Sequence, residues 1–442
     1  MIESLLVANR GEIARRIIRT ANRLGIRTIA VYSEADADLP FVREADEAVA
    51  IGPANPAQSY RNADAIMAAA KSTGARAIHP GYGFLSENAD FARTVEANGL
   101  VWVGPGAEAI SAMGDKINAR NLMAAAGVPV APGSPDPAET ADAALGAAAT
   151  IGFPVMVKAA AGGGGMGMSV ATDEAELRKE FEKVRAFAER MFGDGSVLIE
   201  RYFPRVRHVE VQILGLADGR VVALSERECS VQRRNQKLVE EAPSPAVSPE
   251  LRERLLAAAV KAGEAVGYRN AGTVECLFDP ATGDFFFLEM NTRLQVEHPI
   301  TELIHGIDLV EQQLRIASGL EPTLQEGQKG HAIELRINAE DPKRFLPGPG
   351  KVATWVEPAG EGVRVDSGYA EGTTVTPFYD SLMAKLIVFG ADRDDALAKA
   401  RGAVAGFQIA GPKNNLPFFA ELLENQEFLS GDYDTGIVAR MR

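Results

Sequence analysis

Cysteine is nearly absent: Cys229 and Cys276 are the only two in 442 residues. That excludes a disulfide framework and a cysteine-rich zinc site, and two reduced core thiols are the expectation. Long apolar runs are also missing. No stretch approaches the ~20 residues of a membrane helix. The start, MIESLLVANRGE, lacks the basic lead and apolar stretch of a signal peptide. A cytoplasmic protein with no membrane partner is expected. Nor is there an excess of positive charge, since 46 basic against 60 acidic residues give a formal charge of -14. Nucleic acid is therefore disfavoured as a partner, and a phosphate-bearing ligand would need a local cluster of Lys and Arg. The histidines (His79, His208, His298, His305, His331) show no metal-ligand spacing, and no Ser-His-Asp pattern is readable.

What is present is a globular composition, 46% hydrophobic and 24% charged, in a chain too long for one core. Two or three domains are expected. The N-terminal region alternates apolar runs (SLLVAN, RTIAVYS, RAIHP, LVWVGP) with helical patterns stopped by Gly25, Gly74 and Gly99. That is the pattern of βαβ units on a parallel sheet. The first turn, ANRGEIARR, has one glycine where a dinucleotide fingerprint needs three, so it is not read as an NAD site. Composition shifts divide the chain into five parts. They are a parallel α/β domain (1–114), a linker helix and loop (115–132), a small unit with a glycine-rich loop (133–203), a β-rich core (204–330) and a mixed β-rich C-terminal domain (331–442). No internal repeat is visible.

One stretch, FFFLEMNTRLQVEHP (285–299), carries a buried-looking strand into alternating polar residues. If it stays extended, Glu289, Asn291, Arg293, Gln295 and Glu297 face one way, and Met290, Thr292, Leu294 and Val296 the other. With DPATGD as a hairpin loop, positions whose numbers sum to 563 or 564 lie opposite one another, so Glu275 faces Leu288 or Glu289. Two buried carboxylates in contact conflict, and a divalent cation removes the conflict. Glu275, Glu289 and the amide oxygen of Asn291 are hard ligands suited to Mg²⁺ (or Mn²⁺) that also holds nucleotide phosphates. The competing reading is a polar strand end reaching solvent.

Lys158 ends another buried-looking strand, followed by Gly162, Gly163, Gly164 and Gly165, then Met166, Gly167 and a further strand. Such glycines let backbone N–H groups turn toward an anion, a lid over phosphates, with Lys158 as a point charge. Without those flanks the run would read as a linker. In VLIERYF, Glu200 and the backbone of Arg201, Tyr202 and Phe203 could border a nucleotide base, although the stretch alone is an ordinary strand. ERECSVQRRNQKLVEEAPS concentrates Arg227, Arg233, Arg234 and Lys237. Alone it reads as a solvated basic loop; beside a metal and phosphate site it is a candidate anion clamp.

Taken together, ANRGEIA, AIHPGYGFLSEN, MGDK, RHVEVQ, ERECSVQRR, EMNTRLQVEHP, ELRINAEDP and PFYDSLMAKLI resemble the biotin carboxylase family across essentially the whole chain. EMNTRLQVEHP with HPGYGFLSEN is the most specific pair. The family is the ATP-grasp component of biotin-dependent acyl-CoA carboxylases. The resemblance implies an N-terminal pre-ATP-grasp domain, an ATP-grasp domain with a small mobile lid, and a C-terminal biotin carboxylase domain. It implies a ligase that uses ATP and bicarbonate to carboxylate biotin on a carrier protein, as in fatty acid biosynthesis. By resemblance Lys116, Lys158, the glycine loop, Glu200 to Phe203, His208, Gln232 and Asn235 hold ATP, while Glu275, Glu289 and Asn291 hold metal. Lys237, Arg293, Gln295 and the Val296 backbone hold bicarbonate, and Glu297 is its base. Arg336 stabilises the enolate of biotin, and Tyr82 lines the biotin pocket. The implied partners are a biotin carboxyl carrier protein, a second copy in a homodimer, and a carboxyltransferase subunit.

Two residues depart from the pattern: Met166 stands where many relatives have a basic residue, and Asn235 where many bacterial members have histidine. No Met-Lys-Met biotinylation site appears before Arg442. Biotin is therefore expected on a separate carrier, or the chain belongs to a longer subunit. The alternatives are another ATP-grasp carboxylate ligase and a non-catalytic nucleotide-binding regulatory subunit. Glu297 and HPGYGFLSEN argue against the first, and the intact set of charged site residues against the second.

Overall fold

Residues alternate sides along the first strand: Leu5 and Val7 pack with Ile13 and Ile17, while Leu6 and Ala8 pack with Ile66 and Phe91. A strand covered on both faces needs apolar side chains throughout, which is why SLLVA shows no polar alternation. In the computed structural model, which describes residues 1–134, 136–160, 167–325 and 327–442, this strand is β1 (Ser4–Val7). With β2 (Arg27–Tyr32), β3 (Glu47–Ala50), β4 (Ala77–His79) and β5 (Val101–Trp102) it forms a parallel sheet, ordered β3-β2-β1-β4-β5. The loops after β1 and β4 leave the same end of the sheet, at the point where strand order reverses, which is where open α/β sheets bind ligands. Asn9 Nδ2 stitches them together, donating to the carbonyls of Pro80 and Tyr82, each at 2.7 Å.

The small unit holds β6 (Val155–Ala159), β7 (Met168–Ala171) and β8 (Val197–Arg201), antiparallel in the order β7-β6-β8. Helices Ala141–Ile151 and Glu174–Phe192 back it. It has a core of its own, in which Ala144, Ala148, Ala171 and Ala188 sit with Leu177 and Phe181.

The remaining strands are β9 (Arg207–Gly215), β10 (Val221–Arg233), β11 (Gln236–Ala242), β12 (Asn270–Asp279), β13 (Asp284–Asn291) and β14 (His331–Asn338). After these come β15 (Gly350–Lys351), β16 (Thr354–Val356), β17 (Val363–Ser367), β18 (Thr374–Val375), β19 (Leu382–Gly390) and β20 (Gln408–Ala410). Eight of them make one antiparallel sheet, ordered β13-β12-β9-β10-β11-β14-β19-β17, and the other four form two small two-stranded sheets. The large sheet crosses residue 330 without a break, because β11 pairs with β14 at Val239↔Leu335 and Glu240↔Glu334.

The β12–β13 hairpin has the expected register. Glu275 is paired with Glu289, and a shift immediately after it pairs Cys276 with Phe287, so both predicted sums occur and Leu288 is the extra residue. Two expectations are corrected. Strand β13 ends at Asn291 and does not stay extended to Glu297. The Thr292 N–H goes to Glu87 (3.2 Å) instead of a ladder, and Pro299 helps open the helix His298–His305. ERECSVQRRNQK is not a loop but the β10–β11 hairpin, turning at Arg234 and Asn235, whose φ values are 51 and 65°. Two left-handed residues make a tight hairpin turn, and Arg seldom adopts that conformation, so the turn was hidden in the sequence.

Candidate active site

A cleft of about 1280 Å³ lies between the loops after β1 and β4, the small unit and the β13 end of the large sheet. Its sheet wall carries His208 from β9, Gln232, Asn235 and Lys237 from the β10–β11 hairpin, and Glu275 from β12. Glu289 and Asn291 of β13, the following Arg293, Gln295 and Val296, and Arg336 of β14 complete that wall. On the opposite wall are Lys158 of β6 and Glu200, Arg201, Tyr202 and Phe203 at the end of β8. Lys116, at the start of helix Lys116–Ala125, and Tyr82, after β4, also face the cleft. Glu297 is fully buried just behind the sheet wall.

Lys237 is the hub of that wall. Its Nζ donates to Glu210 (2.5 Å), Glu275 (2.9 Å) and Glu297 (2.7 Å). Arg336 Nη2 bridges Glu240 (2.5 Å) and Glu297 (2.9 Å). Burial alone would raise the Glu297 carboxyl, but Lys237, Arg336 and Arg227 outweigh it and hold the group far below the usual carboxylate range. Glu275 is balanced in the same way: burial opposes the charge, and Lys237 with His208 more than restores it. Its Oε1 also accepts from Asn291 Nδ2 (2.7 Å) and Gln295 Nε2 (2.8 Å), and its Oε2 lies 2.7 Å from His208 Nε2.

Glu289 behaves differently. Although its side chain opens onto the cleft, it accepts no hydrogen bond among the described residues, and its burial in the cleft together with Glu275 raises its carboxyl. An unpartnered carboxylate facing an ionised one, beside the amide of Asn291, fits a hard divalent cation. The atoms of His208, Glu210 and Glu275 also come within 4.8 Å of one another, but Lys237 Nζ already supplies positive charge there. Across the cleft, burial and then Lys158 lower the Lys116 ammonium, while Lys158 pairs with Glu200 at 2.6 Å. The Phe203 ring stacks on Phe286 with 4.9 Å between centroids.

Several predicted residues stand elsewhere. Gly162 to Gly165 and Met166 lie outside the described residues. Gly167 has a φ of +67°, which favours glycine, and a side chain there would press on Ala159 and Phe187. Arg227 is no part of a clamp. It is wholly buried, bound to Glu210 (2.5 Å), Gln212 (2.8 Å), Thr301 (3.0 Å) and Thr273 (3.1 Å), and so fixes the carboxylate on which Lys237 rests. Arg233 lies over the Phe345 ring, which leaves Arg234 and Lys237 as the basic residues of this hairpin in the cleft. Sequence reasoning missed Glu210, although His208, Glu210 and Gln212 recur with a period of two inside an apolar strand. It also missed Glu12, which accepts from the Tyr82 hydroxyl, and Lys385, whose Nζ donates to the Val296 carbonyl at 2.9 Å.

Comparisons with known proteins agree with this geometry. Family models match the biotin carboxylase N-terminal domain over residues 1–110 and the biotin carboxylase C-terminal domain over 334–440. Between them, the ATP-binding domain of the carbamoyl-phosphate synthase L chain matches over 115–325. Biotin carboxylase 1 of Bacillus subtilis is 50% identical over 98% of each chain. The biotin carboxylase of Pseudomonas aeruginosa is 49% identical, covering 98% of this chain and 96% of that protein. The crystal structure of a biotin carboxylase-beta-gamma-ATP complex from Campylobacter jejuni superimposes with a TM-score of 0.96 at 45% identity, covering 100% of this chain and 99% of that one. The biotin carboxylase domain of Hydrogenobacter thermophilus 2-oxoglutarate carboxylase, a dimer solved with MgADP, ADP and bicarbonate, gives 0.94 at 43% identity, with 100% and 98% coverage. The cleft, its charged wall and these full-length likenesses place the chain in the biotin carboxylase family, ligases that use ATP and bicarbonate to carboxylate biotin.

Proposed function

We propose that the cleft performs the first half-reaction of a biotin-dependent carboxylase, with bicarbonate held on the sheet wall and the nucleotide between the two walls. The observation that carries this reading is the buried Glu297, tied at once to Lys237 (2.7 Å) and Arg336 (2.9 Å) beside the Glu275–Glu289 pair. A bicarbonate lying against Lys237, Arg293 and Gln295 would draw Lys237 away from Glu297. The carboxylate would then gain basicity where a proton has to be removed. Deprotonated bicarbonate attacks the γ-phosphorus of ATP, the bond to ADP breaks, and carboxyphosphate forms. It separates into CO₂ and phosphate, the phosphate removes the ureido proton of biotin, and the biotin nitrogen adds to CO₂. Arg336 places a fixed guanidinium where the enolate charge develops, and Tyr82 borders the same space.

Glu275, Glu289 and Asn291 are the residues that would hold Mg²⁺ or Mn²⁺, whose chemistry is to neutralise the phosphate charge as the anions meet. Lys116, Lys158 and the end of β8 would bind the nucleotide, with His208, Gln232 and Asn235 across from them. The unit 133–203, with its separate core, would close over them and keep water from the labile intermediate. Biotin would arrive on a carrier protein and leave carboxylated for a carboxyltransferase, with a homodimer as the working assembly. The test is phosphate release with MgATP, with and without bicarbonate and free biotin. Bicarbonate-dependent hydrolysis stimulated by biotin is expected, and release indifferent to both additions would sink the proposal.

A further inference from the structure

HPGYGFLSEN is the most specific N-terminal string, yet Tyr82 is its one residue with a part in the proposed reaction. Most of the rest has local work. His79 Nδ1 accepts from Gly81 N (3.0 Å), Asn88 caps the helix Ala89–Ala97, Leu85 is buried in the N-terminal core, and Phe84 stacks on Tyr60 at 5.1 Å. Glu87 has no such task. Its hydrogen bonds among the described residues go across to the segment after β13, Oε1 accepting from Thr292 N at 3.2 Å and Oε2 from Arg293 Nε at 2.9 Å.

Arg293 has five N–H groups in a rigid fork. Besides Glu87, Nη2 donates to Asn291 Oδ1 (2.8 Å), and Nη1 to Gln295 Oε1 (2.8 Å) and more distantly to the Leu294 carbonyl (3.4 Å). An Nη2 hydrogen is left for a ligand in the cleft. Asn291 and Gln295 are neutral amides, so Glu87 is the carboxylate that pairs with this guanidinium among the described residues. It also pins the backbone at Thr292, where the chain leaves the sheet. Because Phe84, Leu85 and Asn88 anchor the loop on both sides, the carboxylate is presented from a fixed base.

We propose that Glu87 is a positioning residue for the carboxylation reaction: it reaches from the parallel-sheet region to the large sheet and sets the plane of the Arg293 fork for bicarbonate. This rests on the bicarbonate role given to Arg293 above. Losing the carboxylate frees the guanidinium to turn about its own stem, and a planar acceptor then meets a misaligned donor. Glutamine keeps one oxygen acceptor, enough for one of the two donors, and alanine keeps none.

The experiment compares wild type, Glu87→Gln and Glu87→Ala in bicarbonate-dependent ATP hydrolysis with free biotin, varying one substrate at a time. Expected is a rise in the bicarbonate KM of about tenfold for alanine and a smaller rise for glutamine. The KM for MgATP should stay within about twofold, and the melting midpoint should hardly move, because the pair is half-exposed. An alanine variant with the wild-type bicarbonate KM overturns the inference. So does a parallel rise in both KM values, which would mark general damage to the cleft. If the wild-type enzyme itself ignores bicarbonate, the functional reading fails first and takes this inference with it, an outcome visible before any variant is measured.

Discussion

The two walls of the cleft hold their charges in different ways. On the sheet wall, Lys237 rests on three carboxylates, Arg336 on two, and Glu275 accepts from Lys237, Asn291 and Gln295 while lying against His208. On the other wall, Lys158 has one partner, Glu200, and Lys116 has none among the described residues. The sheet wall is thus organised before any ligand arrives, its buried charges oriented by one another. The opposite wall holds cations with few partners of their own. Substitutions on the first wall should damage structure and chemistry together, and those on the second should damage binding alone.

The harshest way to sharpen that contrast is Glu297→Gln. Biotin carboxylation should fall at least ~100-fold with the base removed. Stability should drop by about 3 kcal/mol as Lys237 and Arg336 lose a buried counter-charge, read from steady-state rates and urea unfolding. The carboxylate pair separates the walls within one hairpin. Glu289→Gln should raise the Mg²⁺ concentration for half-maximal activity about tenfold and leave the unfolding midpoint nearly unchanged. Glu275→Gln should do the first and also cost ~2–4 kcal/mol, because its buried donors lose their acceptor. If both variants prove equally stable, the distinction between a tied and an untied carboxylate is wrong.

On the opposite wall, Lys158→Ala should weaken ATP binding about tenfold and change stability by less than ~1 kcal/mol, which titration calorimetry and melting would read separately. The gentlest test concerns His79, held neutral with Nδ1 accepting from Gly81 and Nε2 donating to Gln313 at 3.2 Å. Burial lowers it from 6.5 to about 4, so between those values the unfolded chain binds the proton and the folded one does not. Stability is therefore lost as the pH falls through 6.5 toward 4, with about 1 kcal/mol gone by pH 5.5. A His79→Gln variant should lose that part of the slope.

How much of this was legible beforehand depended on range. Alternation and turn arithmetic narrowed the partner of Glu275 to Leu288 or Glu289, because all three belong to one hairpin, and the bulge after Glu275 decided for Glu289. The polar row from Glu289 to Glu297 converged on one site even though the strand stops at Asn291, since a loop can bring side chains together as well as an extended segment can. Arg227 was misread because a charged residue is read as exposed until its partners are known. Those partners, Glu210, Thr273 and Thr301, come from three other segments. The Arg234–Asn235 turn was hidden by an arginine in a conformation that favours glycine or asparagine. Lys385, alone in an apolar strand, was visible but had no legible purpose until Val296 came beside it.

The pairing of β11 with β14 bears on how the molecule comes into being. Until the ribosome has made His331–Asn338, the seven residues of β11 present a bare ladder edge, the kind of template that recruits stray strands. The same late segment delivers Arg336 to Glu297. The ion pair behind the cleft and the cover for that edge therefore form in one step, and a chain interrupted before β14 would lack both and be adhesive.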